Sequence, residues 1–333
     1  MFCIICNTIM TAPIVVEMAA SIHPVLWILH EWWDDEMIIE NLKMRNYQNL
    51  TLSTVKKALE VATMVVFVCE SQRQLYKPTA PSSVIFVGVP DPLPRYITSS
   101  ETVTLQSMNR ERSRSNSSPS WQKDPEVFTF LCLGIICPRK NQLWTVQLFK
   151  EFAKDKPNAR LKVVGARYTR VYEIEYLEQV KAEIAGDPRI ELLDVTDNVD
   201  PFYQIADALI LTSLNEVTPM VISEALSWSI PVLSTNIAGI KEMYEDGKEG
   251  YLFEPGDATK ALAGMESVYA DNKLRRKMSV KARARFEETF DLDLMVDSYR
   301  QLILTVAPPV VLLDMDGALV DWDRGFYQVI RCV

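Results

Sequence analysis

Histidine and cysteine are scarce in this 333-residue chain: there are two of the first, His23 and His30, and six of the second. Six thiols are too few for a disulfide framework, and three of them sit inside apolar runs, as reduced core residues do. The Cys3-Ile-Ile-Cys6 spacing has no second pair to complete a metal set, so two buried thiols are preferred to a zinc or redox centre. No apolar stretch approaches the roughly 20 residues of a membrane span. The start, residues 1–16, lacks the positively charged region and Ala-x-Ala-like site of a secretory leader. The sequons at Asn49 and Asn116 therefore carry no weight, and the cytoplasm is the expected compartment. Positive charge is not in excess either. With 35 Lys+Arg against 44 Asp+Glu the net charge is −9 and the pI about 5.0. That balance argues against duplex nucleic acid as the main partner. It does not exclude a nucleotide, whose phosphate site is a local arrangement of donors.

What is present is 48% hydrophobic content, enough for two domains with cores of their own. Apolar runs at 24–29 (PVLWIL), 64–69 (MVVFVC) and 84–87 (VIFV) read as buried strands, with helical spacing over 50–62. From 98 to 124 the chain is rich in serine and arginine and nearly free of apolar periodicity. Such a segment cannot offset its ordering entropy and is expected to be a flexible linker or insertion. Its Arg110, Arg112 and Arg114 fit a phosphorylation-controlled patch or, more simply, a solvated charge run. After it the strand–helix rhythm returns: strands at 128–133, 161–164, 190–193, 208–211 and 231–234, helices at 142–154, 172–185 and 219–227, then helices over 257–305. Strand–helix alternation implies parallel sheets. The expected class is α/β with two Rossmann-like domains, the second a doubly wound parallel sheet. The expected divisions are a partial first domain at 1–96, the linker at 97–126, a second domain at 127–306 and a separate stub at 307–333.

Doubly wound sheets bind ligands beyond the carboxyl ends of their strands, and residues 211–235 place chemistry there. A strand ends at Leu211, a loop carries Glu216, and a helix opens at Thr218-Pro219. Threonine can cap, and proline fits the first turn. The amides of Met220 and Val221 would then offer an anion site at the positive end of the helix dipole. Glu216 and Glu224, separated by seven residues, place carboxylates at two depths beside a bound diphosphate. One can accept hydroxyls of a sugar, the other those of a ribose. After the strand at 128–133, Gly134 lets the backbone approach a ligand, and Arg139 and Lys140 can offset diphosphate charge as a leaving group departs. Taken alone, that loop reads equally as a charged surface turn.

Together these segments resemble the retaining GT-B glycosyltransferases of family 4. The likeness rests on the E-x7-E pair Glu216/Glu224, on Lys140 at the position of the family's phosphate lysine, on 236–239 (NIAG) with Glu242, and on 247–255 (GKEGYLFEP), in order across roughly 130 residues. In the first domain, 27–31 (WILHE) matches a strand ending in His-Glu, where the resemblance brings His30 towards the transferred sugar; on local grounds it is equally a polar loop residue. The segment 84–90 (VIFVGVP) looks like the crossover strand. The resemblance implies transfer of a sugar from a UDP- or GDP-linked donor to an unidentified acceptor with retention, no metal or other cofactor, Glu216, Lys140 and His30 as catalytic residues, and Gly134, Arg139, Lys140, Thr218, Pro219, Met220, Val221 and Glu224 as the donor site.

The chain departs from that pattern at Val217, where glycine is usual, at Ser229-Ile230 before Pro231-Val232, and at Ile135, where arginine is usual, with Arg139 as the substitute. The family's first glycine-rich loop has no counterpart, so the first domain is expected to be incomplete. Residues 310–321, with Asp314-Met-Asp316-Gly317, resemble the opening motif of haloacid-dehalogenase-type phosphohydrolases, in which two aspartates would serve phosphoryl transfer and magnesium. The flanking strand and glycine favour that over the DxD metal motif of the other glycosyltransferase fold. Two rival functions follow: a phosphohydrolase, and a nucleotide-sugar-binding remnant without catalysis.

Overall fold

The computed structural model describes residues 3–45, 50–93, 123–306 and 312–314. Most of the stretch read as a linker, and Asp316 of the carboxyl-terminal motif, lie outside them.

The first domain is a parallel sheet of β1 (Cys3–Asn7), β2 (Val25–Leu29), β3 (Met64–Phe67) and β4 (Ser82–Val84), each paired with the next. The strands β1 and β2 are buried throughout, as parallel strands covered on both faces must be. Alternation decides which core each side chain joins. Ile4, Cys6, Trp27, Leu29 and Phe67 enter the core on one face. Cys3, Ile5, Leu26, Ile28 and Val66 enter that on the other. Cys3 and Cys6 therefore point to opposite sides of the sheet and cannot share a metal or form a bridge. Burial pushes the Cys3 thiol up to about 11. Helices α1 (Ala12–Met18), α2 (Asp35–Arg45), α3 (Leu52–Val61) and α4 (Glu70–Tyr76) link the strands.

The second domain carries β5 (Phe128–Leu133), β6 (Ala159–Ala166), β7 (Ile190–Asp194), β8 (Ala208–Leu211), β9 (Val232–Thr235) and β10 (Gly250–Phe253), all parallel. Their order is β10-β9-β8-β5-β6-β7. Counted within the domain this is the 3-2-1-4-5-6 arrangement of dinucleotide-binding sheets, with its reversal point between β5 and β8. Helices α5 (Gln142–Phe152), α6 (Val171–Ile184), α7 (Asp200–Ile205), α8 (Met220–Ser227), α9 (Ile240–Met243), α10 (Ala258–Ala270), α11 (Asn272–Thr289) and α12 (Leu292–Val306) complete it. One core lies on each face of the sheet. Among the described residues no helix is long and apolar enough to cross a membrane.

Several elements differ from the sequence reading. Strands β1 and β10 and helices α1, α2, α4, α7 and α9 were not expected, and the strand expected at 84–87 lies at Ser82–Val84. Within the segment 127–306 read as one domain, α12 lies on the first sheet. Its Met295, Val296, Tyr299 and Ile303 join Cys3, Ile5 and Leu26, and each such burial is favourable by roughly 1.5–3 kcal/mol before side-chain entropy. Strand β11 (Leu312–Asp314) pairs parallel with β1, Ile5 opposite Asp314. The segment expected to stand apart thus adds an edge strand to the first sheet.

The two carboxyl edges face each other. Glu242 in α9 accepts hydrogen bonds from the backbone amides of Glu70 (2.8 Å) and Ser71 (2.7 Å), at the start of α4. A Cβ on Gly239 would lie 2.7 Å from Cys69 Sγ and 2.3 Å from Val217 O, so glycine is required for this approach. Two charge-assisted bonds from one carboxylate make a specific junction. Glu242→Ala should therefore raise amide exchange at Glu70 and Ser71 about tenfold, by the usual worth of such a bond; unchanged exchange would mean the junction is held elsewhere.

Candidate functional site

The reversal point between β5 and β8 opens between Gly134 and the loop after Leu211. Gly134 has φ +140°, and the Lys140 Nζ lies 3.8 Å from where its Cβ would be. The intervening loop is tied down from beneath. Buried Gln142 donates to the carbonyls of Ile135 (2.9 Å) and Gly134 (3.3 Å), and its Oε1 accepts from Cys137 N. A short 3-10 turn over Pro138–Lys140 then ends at Asn141, whose left-handed backbone (φ 55°) opens α5. This turn points Arg139 and Lys140 the same way, across to the β8 loop.

They converge on Glu216. Its Oε1 lies 2.5 Å from Lys140 Nζ and 2.8 Å from Arg139 Nη1, and Ser213 Oγ is 3.4 Å away. Glu216 is only 8% exposed, and a carboxylate so placed needs paired charge. Two cations on one carboxylate leave the trio with a net positive charge and spare N–H donors. The Arg139 backbone also joins the loops, its carbonyl accepting from Leu214 N, while its guanidinium donates to Asn215 O.

Downstream, α8 starts one residue later than the sequence suggested. The N-cap is Pro219 with φ −66° and ψ 121°, and no side chain caps the helix. Thr218 therefore precedes the cap and does not serve as it: proline's fixed φ suits the extended cap position, which displaces threonine by one. The first amides, Met220 and Val221, are still those at the positive end of the dipole. Met220 is 48% exposed and Val221 buried. Glu224, one turn on, receives the Tyr203 hydroxyl at 2.5 Å. Burial raises its carboxyl above the usual range, with Tyr203 and Lys140 acting against the rise. Lys140 thus acts on both glutamates of the pair.

On the facing edge, His30 follows β2. Its Nε2 is 2.8 Å from Asn7 Oδ1 at the end of β1; because that oxygen only accepts, Nε2 carries the proton. Desolvation pulls the imidazole down to about 4, so the ring is neutral at pH 7. The stability it contributes as a neutral ring is full above pH 6.5 and is lost as pH falls through about 4. Gln72 holds this loop as Gln142 holds the other, donating to the carbonyls of Leu29 and Glu31. Both glutamines, with Tyr203 and Gly165, escaped the sequence reading; each acts on residues distant in sequence, and no local pattern announces it. Asp314 lies in β11, the edge strand beside β1 in the first sheet, and among the described residues no contact joins it to the cluster around Lys140.

Residues 113–285, just over half of the chain, match the family model described as glycosyl transferases group 1. The chain is 32% identical over 167 residues to the lipopolysaccharide 1,2-N-acetylglucosaminetransferase of Salmonella typhimurium, covering 48% of this chain and 43% of that protein. It is 30% identical over 120 residues to the N-acetyl-alpha-D-glucosaminyl L-malate synthase of Bacillus anthracis, covering 36% and 32%. These curated relatives are matched over less than half of their own length. Among solved structures, HepE of Anabaena in complex with UDP superposes with a TM-score of 0.70 at 17% identity, over 90% of this chain and 78% of that one. Sucrose-phosphate synthase of Thermosynechococcus elongatus gives 0.69 at 17% identity, over 90% and 73%. The fold is that of the GT-B glycosyltransferases, two Rossmann-like domains with facing edges. The chain belongs to the glycosyl transferases group 1 family.

Proposed function

We propose that this chain transfers a sugar from a nucleoside diphosphate sugar to an acceptor hydroxyl with retention of configuration. The observation that carries the reading is the convergence of Arg139 and Lys140 on Glu216 at the reversal point of the second sheet. A diphosphate placed there meets two cations and the start of α8, all fixed before it arrives. The C–O bond from the anomeric carbon to the diphosphate breaks, and Lys140 and Arg139 take up the charge growing on the leaving oxygen. The acceptor oxygen bonds to the same face of the carbon, and its proton passes to the departing phosphate. Glu216, freed from the cations as phosphate replaces it, accepts sugar hydroxyls; Glu224 accepts those of the ribose. Neutral His30, held by Asn7, serves the sugar as a hydrogen-bonding group and not as a cation. This arrangement needs no metal, since the side chains and helix amides supply the positive field.

Naming of the relatives as glycosyltransferases and of HepE as a UDP complex supports the donor class. The test is a thermal-shift series with UDP, GDP, their sugar conjugates and the free nucleosides, followed by donor turnover. Diphosphates should raise the melting temperature and nucleosides should not; a series in which neither diphosphate stabilises the chain would remove the donor site. The rival, binding without transfer, rests on Ile135, where the family resemblance implies arginine. It predicts the same shifts with no sugar released to water or acceptor.

A further inference from the structure

Tyr203 is almost wholly buried, 1% exposed, inside the core between the second sheet and α8, with Val221, Ala225 and Trp228 in the same core. A phenol in such a place needs a partner for its hydroxyl. It has one on α8: Tyr203 Oη donates to Glu224 Oε2 at 2.5 Å, while Val221 O is at 3.5 Å. Among the described residues, Tyr203 supplies the hydrogen bond to this carboxylate. The hydroxyl arrives from α7, an element apart from both loops of the donor site. Glu224 itself is only partly buried, so one oxygen is fixed from within while the other remains for a ligand; an ionised carboxylate has about four acceptor positions.

We propose that Tyr203 is a positioning residue for the donor site, its hydroxyl fixing the Glu224 carboxylate so that the second oxygen is held for the ribose hydroxyls of the nucleotide. This rests on the reading of Glu224 as the ribose acceptor. A free glutamate side chain on a helix samples several rotamers, and ordering it at the moment of binding costs affinity. The phenol removes that cost beforehand. It also bears on charge. The groups facing Glu224 are Tyr203 and Asp200 on α7 and Lys140 on the loop after β5. Burial and Asp200 raise its carboxyl; Tyr203 and Lys140 lower it. Without the phenol the carboxyl rises further and holds its proton at higher pH. A protonated carboxyl is the weaker acceptor, so nucleotide affinity then falls as pH drops, beginning at a higher pH than in the parent.

The experiment is calorimetry of UDP and GDP, each beside its 2′,3′-dideoxy analogue, between pH 5.5 and 8.5, on the parent, Tyr203→Phe, Glu224→Gln and the double variant. Phenylalanine keeps the ring and its packing, so the fold is retained; the melting temperature checks this. The parent should prefer ribose over dideoxyribose. Tyr203→Phe should lose roughly tenfold of the ribose nucleotide's affinity, about the worth of one bond to a charged group. The loss should deepen towards low pH, with little change for the dideoxy analogue. Added to Glu224→Gln it should do almost nothing more, the mark of two residues acting as one. Equal losses for both analogues, or a pH profile parallel to the parent's, would overturn the role of Tyr203. A parent indifferent to the ribose hydroxyls would instead overturn the reading of Glu224. In that case carboxyl titration by carbon NMR decides for Tyr203 alone: the Glu224 midpoint must rise in Tyr203→Phe, and an unmoved midpoint rejects it.

Discussion

Lys140→Ala is expected to weaken nucleoside diphosphate binding by 10- to 100-fold while leaving the nucleoside within about twofold. Hydrogen bonds to charged groups are worth about 1.5–3 kcal/mol, which sets that range. The ammonium is held against Glu216 and over Gly134, and reaches Glu224 electrostatically, which is where the proposed reading puts the diphosphate. Turnover should fall further, by about 100- to 1000-fold, because the charge on the leaving oxygen grows in the transition state. One effect on the empty protein follows as well. Glu216 keeps only Arg139 as a cationic partner, and a buried carboxylate with half its compensation lowers stability. Calorimetry with diphosphate and nucleoside separates the binding effect from this one. Equal losses for the two ligands would place Lys140 outside the phosphate site.

Gly165→Ala should be the most destabilising of small substitutions at the site, although no ligand contact involves it. At this residue β6 has φ +132°, and an added Cβ would stand 2.2 Å from the carbonyl oxygen of Gly134 and 2.6 Å from its carbon. Those are backbone atoms of the adjacent strand's end, which cannot rotate aside. The register of β6 against β7 also shifts here, between Val164 and Ala166. Strained φ and overpacking each cost about 1–3 kcal/mol, so roughly 3 kcal/mol is expected, a large share of a typical 5–15 kcal/mol. The melting temperature should drop by about 6–12 °C for a domain of this size. Gly134 must move to make room, so the Lys140 loop moves with it and nucleotide affinity falls. A drop under 2 °C in calorimetry would show that the two strands can separate at no cost.

The second sheet was legible because buried parallel strands are written as apolar runs. Strands β5 and β8 fall on the residues expected, and β6, β7 and β9 within about two. Where the run is broken, the strand was missed. Strand β10 reads GYLF, its glycine imposed by the approach of Val232 O to 1.8 Å from any Cβ, and not by strand preference. Strand β4 lies at the edge, pairing with β3, and begins with two serines that carry no apolar signal. Strand β1 contains the Cys3–Cys6 spacing, which drew attention as a metal motif, although alternation alone puts the two thiols on opposite faces. Helix α2 buries little beyond Ile38 and Leu42, too few for a clear stripe. In the candidate site, Glu216, Glu224 and Lys140 could be singled out because the two glutamates lie on one strand–loop–helix unit and the lysine on another. The Glu242 bond to α4, the grip of Gln72 and Gln142 on their loops and the bond of Tyr203 to Glu224 depend on which elements the fold brings together, and spacing along the chain does not encode that.

The most direct test of a donor site at this carboxyl edge is amide hydrogen exchange with and without saturating UDP or GDP. Binding there predicts slower exchange in two separated stretches, Ile135 to Asn141 after β5 and Val217 to Val221 at the start of α8, with the amino ends of the same strands unchanged. Protection confined to the first domain, or none in either stretch at a concentration that saturates the protein, would contradict it.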